Sequence, residues 1–198
     1  DDIQVLCPSR KGTLGVIELN KKLQAVINPP SKSKSETKSL IYTFRQGDKV
    51  MQTKNNYDIV WIRETKLGNE NGTGIFNGDI GKILAINKFD NEVIIDFDGR
   101  KCNYTFDLLE QLELAYSITV HKSQGSEFDV VILPILGGFE KLYYRNLLYT
   151  AVTRAKRMLI IVGSQNKVFQ MVDNERRTLR YTCLKTLLEG AVENEYTS

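Results

Sequence analysis

Hydrophobic and polar positions change their period twice along this chain. Ile3–Cys7 is a compact apolar run that Pro8 and Ser9 stop, the pattern of a buried strand. Over residues 13–26 the apolar positions are Leu14, Val16, Ile17, Leu19, Leu23 and Val26. That spacing predicts an amphipathic helix with Thr13 as its N-cap, ended by Asn28, Pro29 and Pro30. Residues 31–39, SKSKSETKS, read as a solvated surface loop.

From residue 40 to 114 the helical period vanishes. Short runs at 42–44, 49–54, 59–64, 79–87 and 92–97 have strand character, and residues 68–74, rich in Gly and Asn, read as a loop between them. Asp98-Gly99 between alternating runs signals a hairpin. Short strands at regular spacing predict a small β-barrel. The helical and strand periods then alternate again: strands at 116–120, 128–135 and 158–162, a helix over 140–156 with Leu147, Leu148, Ala151 and Ala155 on one face, a helix capped by Ser164, and another over 178–188.

Alternation of this kind predicts an α/β fold, a parallel sheet with helices on both faces. Its halves are residues 1–39 and 115–190; the barrel, 40–114, is inserted between them, and 191–198 form a tail. The first residues enter a strand at once, which suggests a piece of a longer chain.

Composition narrows this little. The chain has 198 residues, 41% hydrophobic and 26% charged, enough for a packed core. A net charge of +3 permits a nucleic-acid partner without requiring one. The cysteines, Cys7, Cys102 and Cys183, are far apart with no CxxC pair, so neither zinc nor a disulfide framework is expected. With no apolar run near the roughly 20 residues of a membrane span, a reduced cytoplasmic setting is expected.

Candidate chemistry gathers in three places. Residues 119–129, TVHKSQGSEFD, crowd His121, Lys122, Ser123, Gln124, Gly125 and Glu127 between two strand-like runs. Such polar density fits a loop at the ligand end of an open sheet. Residues 149–156, YTAVTRAK, place Arg154 at a helix end before a strand; residues 8–12, PSRKG, place Arg10 just after the first strand. An arginine fork matches phosphate bidentately at any working pH, though a helix-end cation also serves the helix dipole. His121 is the only histidine, and without Cys or His neighbours a metal role is not expected.

Taken together these stretches resemble superfamily 1 helicases of the RecD-like branch, which includes exodeoxyribonuclease V alpha subunits. TVHKSQGSEFD resembles motif V, YTAVTRAK motif VI, and PSRKG with LNKKLQAVINP motif IV and its flank. FRQGDKVMQTKNNYD and GIFNGDIGKI have the look of the SH3-like barrel inserted in that branch. The resemblance covers residue 3 to about 165. It implies a second RecA-like motor domain interrupted by an SH3-like barrel, acting in ATP-dependent DNA unwinding, with a 5′ to 3′ direction by analogy.

By the same resemblance Arg154 and Arg10 contact the ATP γ-phosphate. Gln124, Gly125 and Glu127 lie near the nucleotide, and Thr119, His121 and Lys122 face single-stranded DNA. On the barrel, Tyr57, Trp61, Phe76 and Lys54 are candidates for holding the strand, and each is also a candidate for barrel packing.

The family's P-loop, GxxxxGK[ST], and its Walker B carboxylate do not occur in the chain. ATP and Mg²⁺ are therefore expected to be held by an N-terminal RecA-like domain of the same protein, and the chain alone is expected not to turn over ATP. RecB- and RecC-like subunits are further partners that the resemblance allows. Two other readings stay open: a non-catalytic nucleic-acid- or protein-binding module, and the helicase part of a conjugative relaxase.

Overall fold

The computed structural model describes residues 3–66, 68–136 and 140–175. The expected helix over 178–188, the tail and Cys183 lie outside them. Chain order is β1 (Ile3–Cys7), α1 (Val16–Ile27), β2 (Glu36–Lys38), β3 (Thr43–Arg45), β4 (Lys49–Gln52), β5 (Asn56–Thr65), β6 (Gly68–Ile75), β7 (Ile80–Asn87), β8 (Glu92–Phe97) and β9 (Arg100–Thr105). A 3₁₀ turn (Phe106–Gln111) leads to β10 (Leu112–Leu114), followed by β11 (Ser117–Thr119), β12 (Phe128–Ile135), α2 (Arg145–Val152), β13 (Ala155–Gly163) and α3 (Gln165–Asp173).

Two sheets carry the architecture. A parallel four-stranded sheet has the order β11-β1-β12-β13. The crossover from β1 to β11 and that from β12 to β13 step in opposite directions, so right-handed connections place α1 on one face and α2 on the other. The strand order therefore reverses between β1 and β12, the place where open α/β sheets form a ligand crevice. Leu6, Val131 and Leu133 of the sheet share one core with Leu147, Leu148, Ala151 and Met171 from α2 and α3. A seven-stranded antiparallel sheet, β10-β4-β7-β8-β9-β5-β6, wraps a second core around Phe44, Phe97 and Tyr104. The expected α/β sheet with an inserted barrel is what forms.

Three expectations change. Residues 68–74 are not a loop: they form β6, paired with β5 from Val60–Thr73 to Thr65–Gly68. Much of this hairpin is exposed on both faces, which removes the apolar alternation that marks a half-buried strand. Residues 36–38 leave the expected loop to pair with β3, so the β2–β3 hairpin spans the boundary placed at 39/40. The helix expected over 140–156 is only Arg145–Val152 after a 3₁₀ turn (Glu140–Leu142), and Ala155 opens β13 level with Phe128.

Helix α1 departs most from its pattern. It begins at Val16 after Gly15, not after a Thr13 cap, and Val26 is 81% exposed. Its buried residues are Val16, Asn20 and Gln24, with Asn28 just beyond its end. Asn20 donates to the Leu114 and Ser117 carbonyls at 2.6 and 3.0 Å and accepts from the Ser117 amide at 2.7 Å. Gln24 and Asn28 each donate to the Asp48 carboxylate at 2.6 Å, and Asp48 is fully buried. The Tyr116 hydroxyl and the Arg45 amide complete that carboxylate's shell at 2.8 and 2.7 Å. A helix face that meets main-chain carbonyls and a carboxylate has to be polar, because unpaired groups there would be costly. The stripe Asn20-Gln24-Asn28 thus fixes the barrel on the sheet domain.

Candidate functional site

The loop after β11 is the centre of the site. Thr119 ends β11 beside Cys7, at the carboxyl end of the sheet. Its hydroxyl accepts the Lys122 amide at 3.2 Å, and the 3₁₀ turn His121–Ser123 follows. Ser123 is buried and donates to the Val120 carbonyl at 2.7 Å, which pins the turn. Gly125 then takes φ 86°, a left-handed conformation that a side chain would strain. The loop descends to Phe128, level with Ala155, at the amino end of the strands. One loop therefore runs the height of the sheet, with His121, Gln124 and Glu127 exposed along it.

Arg154 lies at the lower, amino end. Its Nη1 donates to the Ser126 carbonyl at 3.0 Å, its Nε to the Thr150 carbonyl at 3.3 Å and its Nη2 to the Thr153 hydroxyl at 3.3 Å. Its own carbonyl accepts the Phe128 amide at 2.8 Å. Lys156 approaches Glu127 at 3.8 Å, both more than half exposed, a contact of little energetic weight. Arg154, Ser126 and Glu127 form one group, which leaves part of the guanidinium fork for an anion.

Arg10 belongs elsewhere. It follows the carboxyl end of β1, whereas Arg154 precedes the amino end of β13. By strand register the two ends are roughly six to seven residues apart, on the order of 20 Å at about 3.3 Å per residue. The two arginines expected on one γ-phosphate thus sit at opposite ends of the parallel sheet. Arg10 instead pairs through Nη2 with Glu113 of β10, whose other oxygen lies 3.5 Å from Lys122 Nζ. Beside this cluster Tyr42 is buried, and burial first, then the Glu113 charge, push its hydroxyl up to about 12.

A crevice of about 530 Å³ opens between the ends of β1 and β12, lined by Ser9, Lys11, Thr13, Pro134, Leu136 and Tyr143. This is the point at which the strand order reverses. The loop above it is tight: a Cβ on Gly15 would lie 2.5 Å from the Lys11 carbonyl carbon and 2.7 Å from the Arg10 carbonyl oxygen. Gly15 is therefore what lets PSRKG fold back on the start of α1.

Comparison with known proteins agrees with this arrangement. Residues 19–97 match the ATP-dependent RecD-like DNA helicase SH3 domain, and residues 114–162 the UvrD-like helicase C-terminal domain. This chain carries a RecD-like helicase SH3 domain and a UvrD-like helicase C-terminal domain. It is 36% identical over 182 residues to the ATP-dependent RecD2 DNA helicase of Deinococcus radiodurans, covering 92% of this chain and 23% of the relative. It is 32% identical over 191 residues to the RecBCD enzyme subunit RecD of Mycobacterium tuberculosis, covering 96% of this chain and 29% of the relative. The chain thus spans about a quarter of the length of these curated relatives. The Pif1 helicase from Bacteroides, solved in complex with ADP-AlF3 and ssDNA, shares the fold with a TM-score of 0.56 at 20% identity, covering 98% of this chain and 46% of that one.

On the RecD-like barrel the four aromatic and basic candidates separate. Tyr57 and Phe76 are exposed and meet edge to face, with centroids 5.5 Å apart. Trp61 is half-buried against the barrel core, with the Arg63 guanidinium 5.9 Å from its ring centroid. Lys54 lines a groove with Arg10 and Lys122. Among the described residues no group of three or more His, Cys, Asp or Glu could hold a metal ion. No helix among them is long and apolar enough to cross a membrane.

Sequence reasoning missed Glu113, Asp48 and the stripe on α1. Glu113 had a signal: it is the single charge between Leu112 and Leu114, so strand alternation turns it away from the barrel core that both leucines enter. Asp48 had none, because its partners come from α1, β3 and the segment before β11.

Proposed function

We propose that this chain is the C-terminal half of an ATP-dependent DNA helicase or translocase, acting with a P-loop domain of the same protein. The observation that carries this reading is the single loop, residues 119–127, which joins an amino-end group containing Arg154 to a carboxyl-end group containing Lys122. Arg154, Gln124, Gly125 and Glu127 face the nucleotide, and Arg154 reaches the γ-phosphate across the domain cleft. Thr119, His121 and Lys122 face single-stranded DNA. Arg10, expected on the γ-phosphate, is assigned to the DNA side because it shares Glu113 with Lys122 and lies far from Arg154.

ATP with Mg²⁺ supplies the phosphoryl chemistry when bound, and the metal ligands belong to the P-loop domain. This chain's part is electrostatic and positional. Arg154 is held by three hydrogen bonds, so its orientation is fixed before a phosphate arrives. Because its partner Ser126 lies on the same loop as Lys122, a nucleotide-dependent shift at one end alters the grip at the other. Coupling of this kind requires only that the two states differ in affinity. The direction, 5′ to 3′, and assembly with RecB- and RecC-like subunits rest on family likeness.

The test is ATP hydrolysis by a protein that joins this chain to its P-loop domain, with and without single-stranded DNA. Wild type should be strongly stimulated by DNA, and Arg154→Ala should abolish turnover with the fold intact. The 198-residue chain alone should show none. Absence of hydrolysis by the joined wild type would favour a non-catalytic binding module.

A further inference from the structure

The carboxylate of Glu113 sits in an unusual place for a residue of the barrel. The residue is 8% exposed, and its two oxygens face Arg10, from the loop after β1, and Lys122, from the loop after β11. The two cations belong to the sheet domain, and the carboxylate to the last barrel strand. All three line a groove of about 430 Å³ that also holds Lys54, with Leu40 and Ile41 at its lip, 86% and 47% exposed. A groove that gathers cations suits the phosphate backbone of a single strand. A carboxylate and a phosphodiester carry the same charge, and each presents two oxygens to a guanidinium and an ammonium.

We propose that Glu113 is an internal stand-in for a nucleic-acid phosphate. It holds Arg10 and Lys122 at the groove and yields them to the backbone of single-stranded DNA. This rests on the reading of the carboxyl end of the sheet as the DNA face. The carboxylate keeps two flexible cations in place without a ligand, and it lowers the net charge with which they attract one. The barrel thereby sets how tightly the sheet domain grips DNA, and every phosphate that enters must first displace Glu113. A weaker grip favours stepping along the strand.

The experiment is fluorescence anisotropy of the purified protein with labelled oligo-dT across a salt series. Glu113→Gln keeps an oxygen for Arg10 and removes the charge. It should bind about threefold to tenfold more tightly at low salt, with a salt slope steeper by about 0.7 for each additional phosphate neutralised. Glu113→Asp, which keeps the charge but is too short to bridge both cations, should also bind more tightly, which guards against a misfolded Gln variant. In a Lys122→Ala background the tightening caused by Glu113→Gln should shrink, since one of the two released cations is gone. Unchanged or weaker binding by both Glu113 variants, with wild-type melting curves, overturns the stand-in role alone. No binding by wild type or variants overturns the DNA reading beneath it.

Discussion

Arg154 donates from Nη1 to the main-chain carbonyl of Ser126 at 3.0 Å, tying the end of α2 to the loop that follows β11. A lysine could supply charge at this position but not the rigid fork that also reaches Thr150 and Thr153. Arg154→Lys in the joined protein should therefore rescue little of the activity lost in Arg154→Ala. If Arg154 acts on the γ-phosphate as proposed, the loss should be about 10³-fold or more in kcat, as for phosphoryl-transfer arginines in general. Steady-state ATPase assays at saturating DNA check this, and near-wild-type turnover in the lysine variant would show that charge alone suffices.

Gly125 makes a separate prediction. Its φ of 86° leaves open space around an added Cβ, so the obstacle to substitution is backbone conformation and not crowding. Gly125→Ala should cost about 1 kcal/mol of stability, while disturbing the relation between Ser126 and Lys122. The expected signature is a protein that melts nearly normally but whose ATPase responds less to DNA.

Asp48 is the joint between barrel and sheet domain. Removing its carboxylate orphans donors on Gln24, Asn28 and Tyr116 together. Asp48→Ala should destabilise the protein by about 3 kcal/mol or more. Urea unfolding followed by fluorescence and circular dichroism measures it. A cost below about 1 kcal/mol would mean the joint is held elsewhere.

Apolar positions on α1 and β12 should behave oppositely. Leu133 is fully buried, and Leu133→Ala should cost about 2–5 kcal/mol. Val26 is 81% exposed, and Val26→Ala should change stability by less than about 0.5 kcal/mol. The same unfolding experiment reads both, and a large effect at Val26 would reveal a surface covered in solution.

Burial raises Cys7 from 9.0 to about 11, Cys102 from 9.0 to about 12 and Tyr42 from 10.0 to about 12. Each is neutral when protonated, so the folded state holds its protons to higher pH than the unfolded chain. Stability then falls with rising pH wherever the folded state binds more protons. The contribution is fully present below about pH 9 and is lost through the folded values, about pH 11–12. Urea midpoints should be flat from about pH 7 to 8.5 and decline above about 9. Neither Cys7 nor Cys102 should react with a thiol reagent at about pH 8 before unfolding, because both are buried.

Fold class and the polar loop were legible in the residue pattern alone. Ile3–Cys7 and Phe128–Ile135 are strands because predominantly apolar runs of that length, broken only by Gln4 in the first and by Asp129 and Pro134 in the second, suit a sheet covered on both faces, and both appear as read. The barrel was legible as a change of period, and residues 119–127 as polar density where a core would exclude it. Whatever depends on partners remote in sequence emerged only once the chain was folded. The buried side of α1 is polar beyond Val16 because it faces carbonyls and Asp48, so Leu19 and Leu23 end up half-buried and Val26 exposed. Strand β6 lies in a hairpin largely solvated on both faces, so no alternation marked it, although residues 59–64 of its partner β5 were legible. Arg10 and Arg154 look alike as strand-flanking arginines, yet parallel register puts one at the carboxyl end of the sheet and the other at its amino end. Glu113, a single charge between two leucines, acquired its place only when two distant loops brought Arg10 and Lys122 to its oxygens.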